Sequence, residues 1–321
     1  MMTQVPASEP DFTPLDDVFV RKHMGVPDID VTGWTLAVEG LVERPLRLDM
    51  AAVLALGTER LPAFHECFGS PLAPDVPTRA VAQVEWAGVP LAALLDRAVP
   101  GAAARHVWFE GADSGSFQGQ DGVTYVKDLP LDVARDDVFL AHRMNGWPLR
   151  AEHGFPLRAV VPRMFGTNSV KWLTRIVLAD RRADNVFTTR FYTRVLPGDS
   201  VPSPVREVDV SSKWFVPGKV AAGKVDLGGR AWSTTEVVRV DVSVDGGPWE
   251  PASLAAPGSG PTWQRFSVTR ELAPGAHVIR CRARDRAGRV QPLAGARNAV
   301  HEAGVEAGVE AVGEAEDRAE A

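Results

Sequence analysis

Four prolines, at positions 197, 202, 204 and 217, punctuate the chain two-thirds of the way along. Proline fixes φ and lacks an amide proton, so such a stretch interrupts helix and sheet alike and reads as a linker. The apolar pattern differs on its two sides, short alternating runs mixed with helical spacing ahead of it and alternation alone beyond it. A length of 321 residues suits two domains at about 100–200 residues each. The linker therefore predicts two folded parts of different class.

In the first part Trp34, Leu36 and Val38 alternate until Gly40 stops the strand. Met50 to Leu56 reads as a short helix, and Leu91, Leu94, Leu95 and Ala98 recur at helical spacing. Further strands are expected at His106–Glu110, Leu157–Val161 and Trp172–Leu178. Without a regular strand–helix alternation, residues 18–196 are predicted to form an α+β domain ending near Leu196. In the second part Val237–Val244 alternates into the turn Asp245-Gly246-Gly247. Strands at Gln264–Thr269 and His277–Arg284 follow, separated by Pro274-Gly275, with Trp249, Trp263 and Phe266 as bulky anchors. This pattern predicts an immunoglobulin-like β-sandwich over 197–300. Residues 1–17, with Pro6, Pro10 and Pro14, read as an extended arm. Residues 301–321 repeat Glu-Ala-Gly-Val around Glu302, Glu306 and Glu310, with Gly304, Gly308 and Gly313 opposing helix. They read as an acidic disordered tail.

Charge and cysteine content exclude several functions. Lys and Arg number 35 against 41 Asp and Glu, a net of −6, so no basic nucleic-acid footprint exists. No apolar run nears the roughly 20 residues of a membrane span. Met1-Met2-Thr3-Gln4 opens no signal sequence and no twin-Arg motif, which predicts a cytoplasmic protein, or a periplasmic one if the chain has been trimmed. Only two cysteines occur, Cys67 and Cys281. They cannot build a disulfide scaffold, an iron–sulfur cluster or a CxxCH haem site. Electrons handled by this chain must leave to an external acceptor, a cytochrome or similar.

A few segments bear chemistry. Cys67, in His65-Glu66-Cys67-Phe68-Gly69, stands where a strand breaks into a loop; it reads as a small buried apolar residue or as a thiolate for a soft metal. His153-Gly154-Phe155-Pro156-Leu157-Arg158 makes a tight turn with an imidazole and a guanidinium at its ends. Gly166-Thr167-Asn168-Ser169-Val170-Lys171 offers a glycine-led loop whose backbone N–H groups, with Lys171, suit an anion. Both loops read equally as ordinary turns with solvated charges. Neither the Walker spacing nor GxGxxG at a helix start is present, which disfavours a nicotinamide fold. Phe19-Val20-Arg21-Lys22-His23 is a third cationic cluster, and Asp113 reads as a carboxylate in a turn after a strand.

In order along the chain, these segments resemble the sulfite oxidase family of molybdenum enzymes. The matching pieces are Phe19–His23, Glu66-Cys67-x-Gly69, Trp86-x-Gly88-Val89-Pro90-Leu91 and Phe109–Ser114. Leu140–Gly146, His153–Arg158, Ser169-Val170-Lys171-Trp172 and the sandwich run Val238–Gly247 complete the set. The resemblance implies a molybdenum–molybdopterin cofactor, with Cys67 as the thiolate ligand of the metal and as a catalytic residue. It implies that Phe19, Arg21, Lys22, His23, Asp113, His153, Arg158, Ser169, Val170 and Lys171 contact the pterin and its phosphate. Tyr192 matches the family's active-site tyrosine, and the sandwich matches its dimerisation domain, which implies a homodimer.

Two departures bear on the substrate. Phe68-Gly69-Ser70-Pro71 stands where sulfite-oxidising members carry Ala-Gly-Asn-Arg-Arg, and Glu236 or its neighbours replace a second arginine. Arg79 and Arg163 are the candidates to substitute. The expected activity is oxygen-atom transfer to sulfite or a related small sulfur oxyanion. The alternatives are reduction of an S-oxide or of an oxyanion such as nitrate, or a non-catalytic cofactor-binding or dimerising module.

Overall fold

The computed structural model describes residues 12–69, 80–195 and 198–308. These fall into two compact units: residues 12–69, 80–195, 198–208 and 259–262 in the first, and 209–258 with 263–308 in the second. The boundary expected near Leu196, itself outside the described residues, therefore lies at Val208. The proline-rich stretch is not free up to that point. Strand β11 (Thr193–Arg194) pairs with β12 (Ser203–Pro204), Val205 N–H donates to the Tyr192 carbonyl at 2.8 Å, and the Asn168 amide donates to the Val205 carbonyl at 3.1 Å. Pro204 lies within that strand pair.

Two sheets build the first unit. One runs β2 (Leu46–Leu48), β1 (Leu36–Gly40), β10 (Leu173–Ala179), β5 (His106–Phe117), β6 (Gln120–Pro130). Its β1–β10 pair is parallel and the remaining pairs are antiparallel. The other runs β3 (Glu59–Glu66), β4 (Val81–Pro90), β7 (Phe139–Met144), β8 (Trp147–Pro148), with β9 (Arg158–Val160) also on β7. Gly88 is required where β4 meets β7, because a Cβ there would lie 2.0 Å from the Leu140 carbonyl oxygen.

Helix α1 (Met50–Leu54) starts on Asp49, whose carboxylate accepts from Ala52 N–H at 2.7 Å. Helix α2 (Leu91–Ala98) buries Leu91, Leu94, Leu95 and Ala98 against Leu36, Val38, Val107 and Ile176. At about 1.5–3 kcal/mol per buried leucine, that one stripe fixes the helix on the sheet. Helices α3 (Leu131–Asp137) and α4 (Val186–Thr189) are short. A second cluster of Ala63, Val84, Trp86, Ala141, Met144 and Val160 fills the space beside β4 and β7.

Residues 1–11 of the expected arm lie outside the described residues. From there the chain is tied down: Thr13 N–H donates to the Gln83 carbonyl at 2.7 Å, and a single 3-10 turn spans Leu15–Asp17.

The second unit has two sheets sharing one core. Strands β13 (Ser211–Trp214), β15 (Gly223–Trp232), β19 (Gln264–Leu272) and β18 (Ser253–Leu254) form one. Strands β14 (Lys219–Ala221), β21 (His301–Gly308), β20 (Gly275–Asp285), β16 (Val237–Val244) and β17 (Glu250–Pro251) form the other. Trp214, Leu227 and Phe266 meet Val240, Val242, Ile279, Cys281 and Val305 between them. The expected Asp245-Gly246 turn is present, with φ of 51° and 73° and the Gly247 N–H donating to the Val244 carbonyl at 2.8 Å.

The disordered tail is corrected over 301–308. There His301–Gly308 is a strand that pairs antiparallel with β20 and parallel with β14. Its glycines occupy the exposed face, at Gly304 and Gly308, while Val305 and Ala307 alternate inward. The four-residue repeat is thus an even multiple of the strand period of two, and its opposition to helix is what a strand tolerates. Residues 309–321 lie outside the described residues. Among the described residues, no helix is long and apolar enough to cross a membrane.

Candidate functional site

A cavity in the first unit, with some 820 Å³ of space between protein atoms including its mouth, gathers segments that are distant in sequence. The strand-free segment 18–23 crosses one side of it, and Phe19, Arg21, Lys22 and His23 all line it. The Phe19 ring stacks on His65 at 5.8 Å. His23 enters an aromatic box: Phe187 and Phe117 each lie 5.2 Å from its ring and Tyr125 lies 5.8 Å away. Its Nε2 is 2.5 Å from the Tyr192 hydroxyl.

Cys67 follows the last residue of β3 and is held by its own N–H, which donates to the Ala80 carbonyl at 2.8 Å. Its thiol is buried and lines the cavity. Arg21 comes to the same place. A Cβ placed on Gly69 would stand 3.7 Å from Cys67 Sγ and 3.6 Å from an Arg21 guanidinium nitrogen. The sequence puts these two groups 46 residues apart; the fold makes them neighbours of one glycine.

Asp113 lies within β5, where the pairing to β6 shifts register between Glu110 and Ser114, so the expected turn is instead an irregularity inside a strand. That irregularity re-aims the carboxylate into the cavity. Gly111 makes room for it: a Cβ there would meet Asp113 Oδ1 at 2.5 Å and the Lys171 carbonyl at 2.7 Å.

The opposite wall comes from 151–171. A 3-10 turn at Ala151–His153 ends on Gly154 at φ 105°, a left-handed position packed against Lys171. Arg158 Nη1 donates to the His153 carbonyl at 2.9 Å and its guanidinium stacks on Trp86 at 4.9 Å. Lys171 Nζ donates to the Glu152 carbonyl at 2.7 Å and sits 4.1 Å over Trp172. The glycine-led loop is a 3-10 turn, Gly166–Asn168. The N–H groups of Asn168 and Ser169 close it onto Phe165 and Gly166, and Ser169 Oγ accepts from Val161 N–H at 3.0 Å. Those two amides therefore serve the turn and not an anion. Val170 does not line the cavity; its side chain is in the core and its carbonyl accepts from Ala159 N–H.

Burial sets the electrostatics. It drives His65 down to about 3 and His153 down to about 4, with Arg158 repelling further charge in each case. Lys171 is pulled to about 7 by burial and then by Arg158, while burial alone pulls Arg158 to about 9, which leaves it charged at neutral pH. Burial raises Asp113 to about 6 and Tyr192 to about 12. His23 falls below its ordinary value through burial and the nearby Arg21 and Lys171. Cations crowd this cavity at the expense of their own protonation. An anionic occupant would restore their charge.

His65, Thr167 and Trp86 stand in segments the sequence singled out but were given no site role, and Tyr125 was not singled out; all four line the cavity. His65 was legible in principle, since it stands two residues before Cys67 and shares a strand face with it. Tyr125, whose hydroxyl donates to the Thr167 carbonyl at 2.7 Å, left no local signal. Of the two substitute arginines, Arg79 lies outside the described residues, and Arg163 does not line the cavity.

Residues 23–187 match the family model described as the oxidoreductase molybdopterin binding domain. The chain is 32% identical to the nitrate reductase (NAD(P)H) of Hordeum vulgare over 87% of its own length and 37% of that protein's. It is 32% identical to the sulfite oxidase of Gallus gallus over 87% of its length and 68% of that protein's. The crystal structure of the sulfane dehydrogenase SoxCD from Paracoccus pantotrophus superposes with a TM-score of 0.80 at 27% identity, covering 94% of this chain and 85% of that one. The chain spans about half or less of several relatives it matches, 37% of the barley protein and 48% of the sulfite oxidase of Drosophila melanogaster.

The residues present fit a pterin–molybdenum group. Asp113 Oδ1 and Arg158 Nε are buried with no hydrogen-bond partner, one an acceptor awaiting an N–H and the other a donor awaiting an anionic oxygen. Among the described residues, no cluster of three or more His, Cys, Asp or Glu could hold an ion by itself. A metal here would need ligands carried in by the cofactor, with a soft protein sulfur completing them.

Proposed function

The chain belongs to the sulfite oxidase family of molybdopterin-dependent oxidoreductases, and on that premise we propose that it transfers an oxygen atom to sulfite or a related small sulfur oxyanion, passing the electrons to an external acceptor. The observation that carries this reading is that the Arg21 guanidinium and the Cys67 sulfur both come within 4 Å of where a Cβ on Gly69 would stand, in the same cavity. The family's cofactor is molybdenum held by molybdopterin; when bound it supplies oxygen-atom transfer coupled to a change in metal oxidation state.

In this reading Cys67 is the metal's protein ligand. Phe19, Lys22, His23, His153, Arg158, Ser169, Val170 and Lys171 hold the pterin and its phosphate, Val170 by bracing the loop. Asp113 accepts from pterin N–H groups with its partnerless oxygen. Arg21 attracts the oxyanion with a charge-assisted contact, worth about 1.5–3 kcal/mol. Tyr192 keeps its proton at neutral pH, because burial holds it near 12. Nε2 of His23 fixes where that hydroxyl stands, and the lowered proton affinity of His23 leaves the ring neutral. The phenol proton is thus free to turn from a neutral imidazole to a stronger acceptor, an oxyanion.

A second reading has one observation of its own. Phe68 packs edge-on against Phe165 at 5.2 Å and Tyr192 at 6.2 Å, and lines the cavity directly after Cys67. An apolar edge there favours a neutral oxide over an anion, so reduction of an S-oxide is the alternative it supports. Steady-state assays of sulfite, thiosulfate, nitrate and sulfoxides with artificial electron carriers separate the two. Oxidation of sulfite or thiosulfate at a kcat/KM above that for any oxide reduction supports the first reading, and the reverse order overturns it.

The two-sheet unit is read as immunoglobulin-like and as the part through which two copies pair. Light scattering of the purified protein at twice the monomer mass supports the homodimer. Cytochromes of the host are the acceptors to assay first, and a cytoplasmic site of action goes with this proposal.

A further inference from the structure

Lys127 lies outside the site described above, on β6, and is 2% exposed. An isolated buried ammonium is costly, and an apolar residue would fill the same space without that penalty. The cation does not serve its acidic neighbour. Strand alternation turns Asp128 to the other face, where Arg182 takes both its oxygens at 2.9 Å. Lys127 faces the segment that carries Tyr192 instead.

Helix α4 is a single turn, opened by Asn185 with a reciprocal cap from Thr188. At its end Phe191 N–H donates to the Val186 carbonyl at 2.9 Å rather than to Phe187, four residues back. The Phe187 carbonyl is thereby left without its helical donor, and Lys127 Nζ supplies one at 2.8 Å. The same ammonium stands 5.2 Å over the ring of Tyr192. Phe187 in turn stacks on His23, the partner of the Tyr192 hydroxyl.

We propose that Lys127 is the positioning residue of Tyr192, its ammonium capping the turn that delivers the tyrosine and bearing on the phenol ring so that the hydroxyl stays over the cavity. The proposal rests on the reading of Tyr192 as the group that meets substrate. Burial pulls Lys127 to about 7, against the attraction of Asp128 and with Arg182 and Arg206 adding repulsion. The hold on Tyr192 therefore loosens as pH rises through neutrality.

The chain contains two tyrosines, Tyr125 and Tyr192, so ring-labelled tyrosine gives two NMR signals in the holoenzyme, assigned with Tyr125→Phe. The expected result is a Tyr192 signal that titrates with a midpoint near 7 in the native protein and is flat in Lys127→Met. In turnover, Lys127→Met lowers kcat about tenfold with KM nearly unchanged and molybdenum content intact. Lys127→Arg recovers most of the rate. Lys127→Met added to Tyr192→Phe costs nothing further, because the first acts through the second. A Tyr192 signal that titrates identically in Lys127→Met, or rate losses that multiply in the double variant, overturns the proposal. If the native protein turns over no sulfur oxyanion, the substrate reading fails while the NMR signal still decides the role of Lys127. If Lys127→Met does not fold, Lys127→Gln, which keeps a donor and loses the charge, takes its place with the same expected loss of titration.

Discussion

The hydroxyl of Tyr192 and Nε2 of His23 stand 2.5 Å apart across 169 positions of sequence. That contact joins the strand-free segment 18–23 to the turn after α4, and both residues line the cavity. Tyr192→Phe removes the proton donor and leaves the ring stack on Phe187, 6.4 Å away, in place. A charge-assisted bond of about 1.5–3 kcal/mol predicts a roughly ten- to hundredfold loss of kcat/KM. Molybdenum content, measured by plasma mass spectrometry, should stay at the native level.

Loading of the cofactor should depend on pH. Burial chiefly holds Lys171 down to about 7 and His153 down to about 4. A bound phosphate favours their charged forms, so binding takes up protons and affinity falls as pH rises through 7. Apoprotein titrated with molybdopterin should bind more tightly at pH 6 than at pH 8.5 (about tenfold for one such group). Lys171→Met should bind weakly at both and lose most of the difference, as read by pterin fluorescence.

Gly111→Ala should destabilise the first unit. A methyl there would fall 2.7 Å from the Lys171 carbonyl, a backbone atom that cannot step aside, and 2.5 Å from Asp113 Oδ1. Overpacking of this kind costs about 1–3 kcal/mol, so the urea midpoint should drop, with Asp113 displaced from the cavity and less cofactor retained.

Truncation after Val300 should destabilise the second unit, although composition alone marks the removed stretch as dispensable. Val305 and Ala307 are buried there, and His301 Nδ1 accepts the Trp214 N–H at 3.1 Å. Losing one buried valine and the ladder to β20 predicts a loss of more than about 2 kcal/mol, measured by urea unfolding of the truncated chain.

The sequence made local features legible and hid those that depend on distant partners. Helix α2 could be read from Leu91, Leu94, Leu95 and Ala98 because its stripe repeats within two turns, and the Asp245-Gly246 turn from residues that accept positive φ. The strand at 301–308 was missed because a four-residue repeat of Glu, Ala, Gly and Val looks solvated until β20 and β14 supply edges for it. The site shows the same division. Cys67, His153 and Lys171 stand in recognisable segments that resemble a known family, and all three line the cavity. The approach of Arg21 to Gly69 and the cap that Lys127 places on Phe187 are both contacts between segments far apart in the chain. No local spacing encodes them.

The central claim is that the Cys67 sulfur binds the metal in this cavity, and X-ray absorption at the molybdenum edge tests it most directly. The native protein should show one more sulfur neighbour than Cys67→Ser, with both proteins holding similar amounts of molybdopterin. An identical sulfur shell in the two proteins, at equal metal content, would contradict the account.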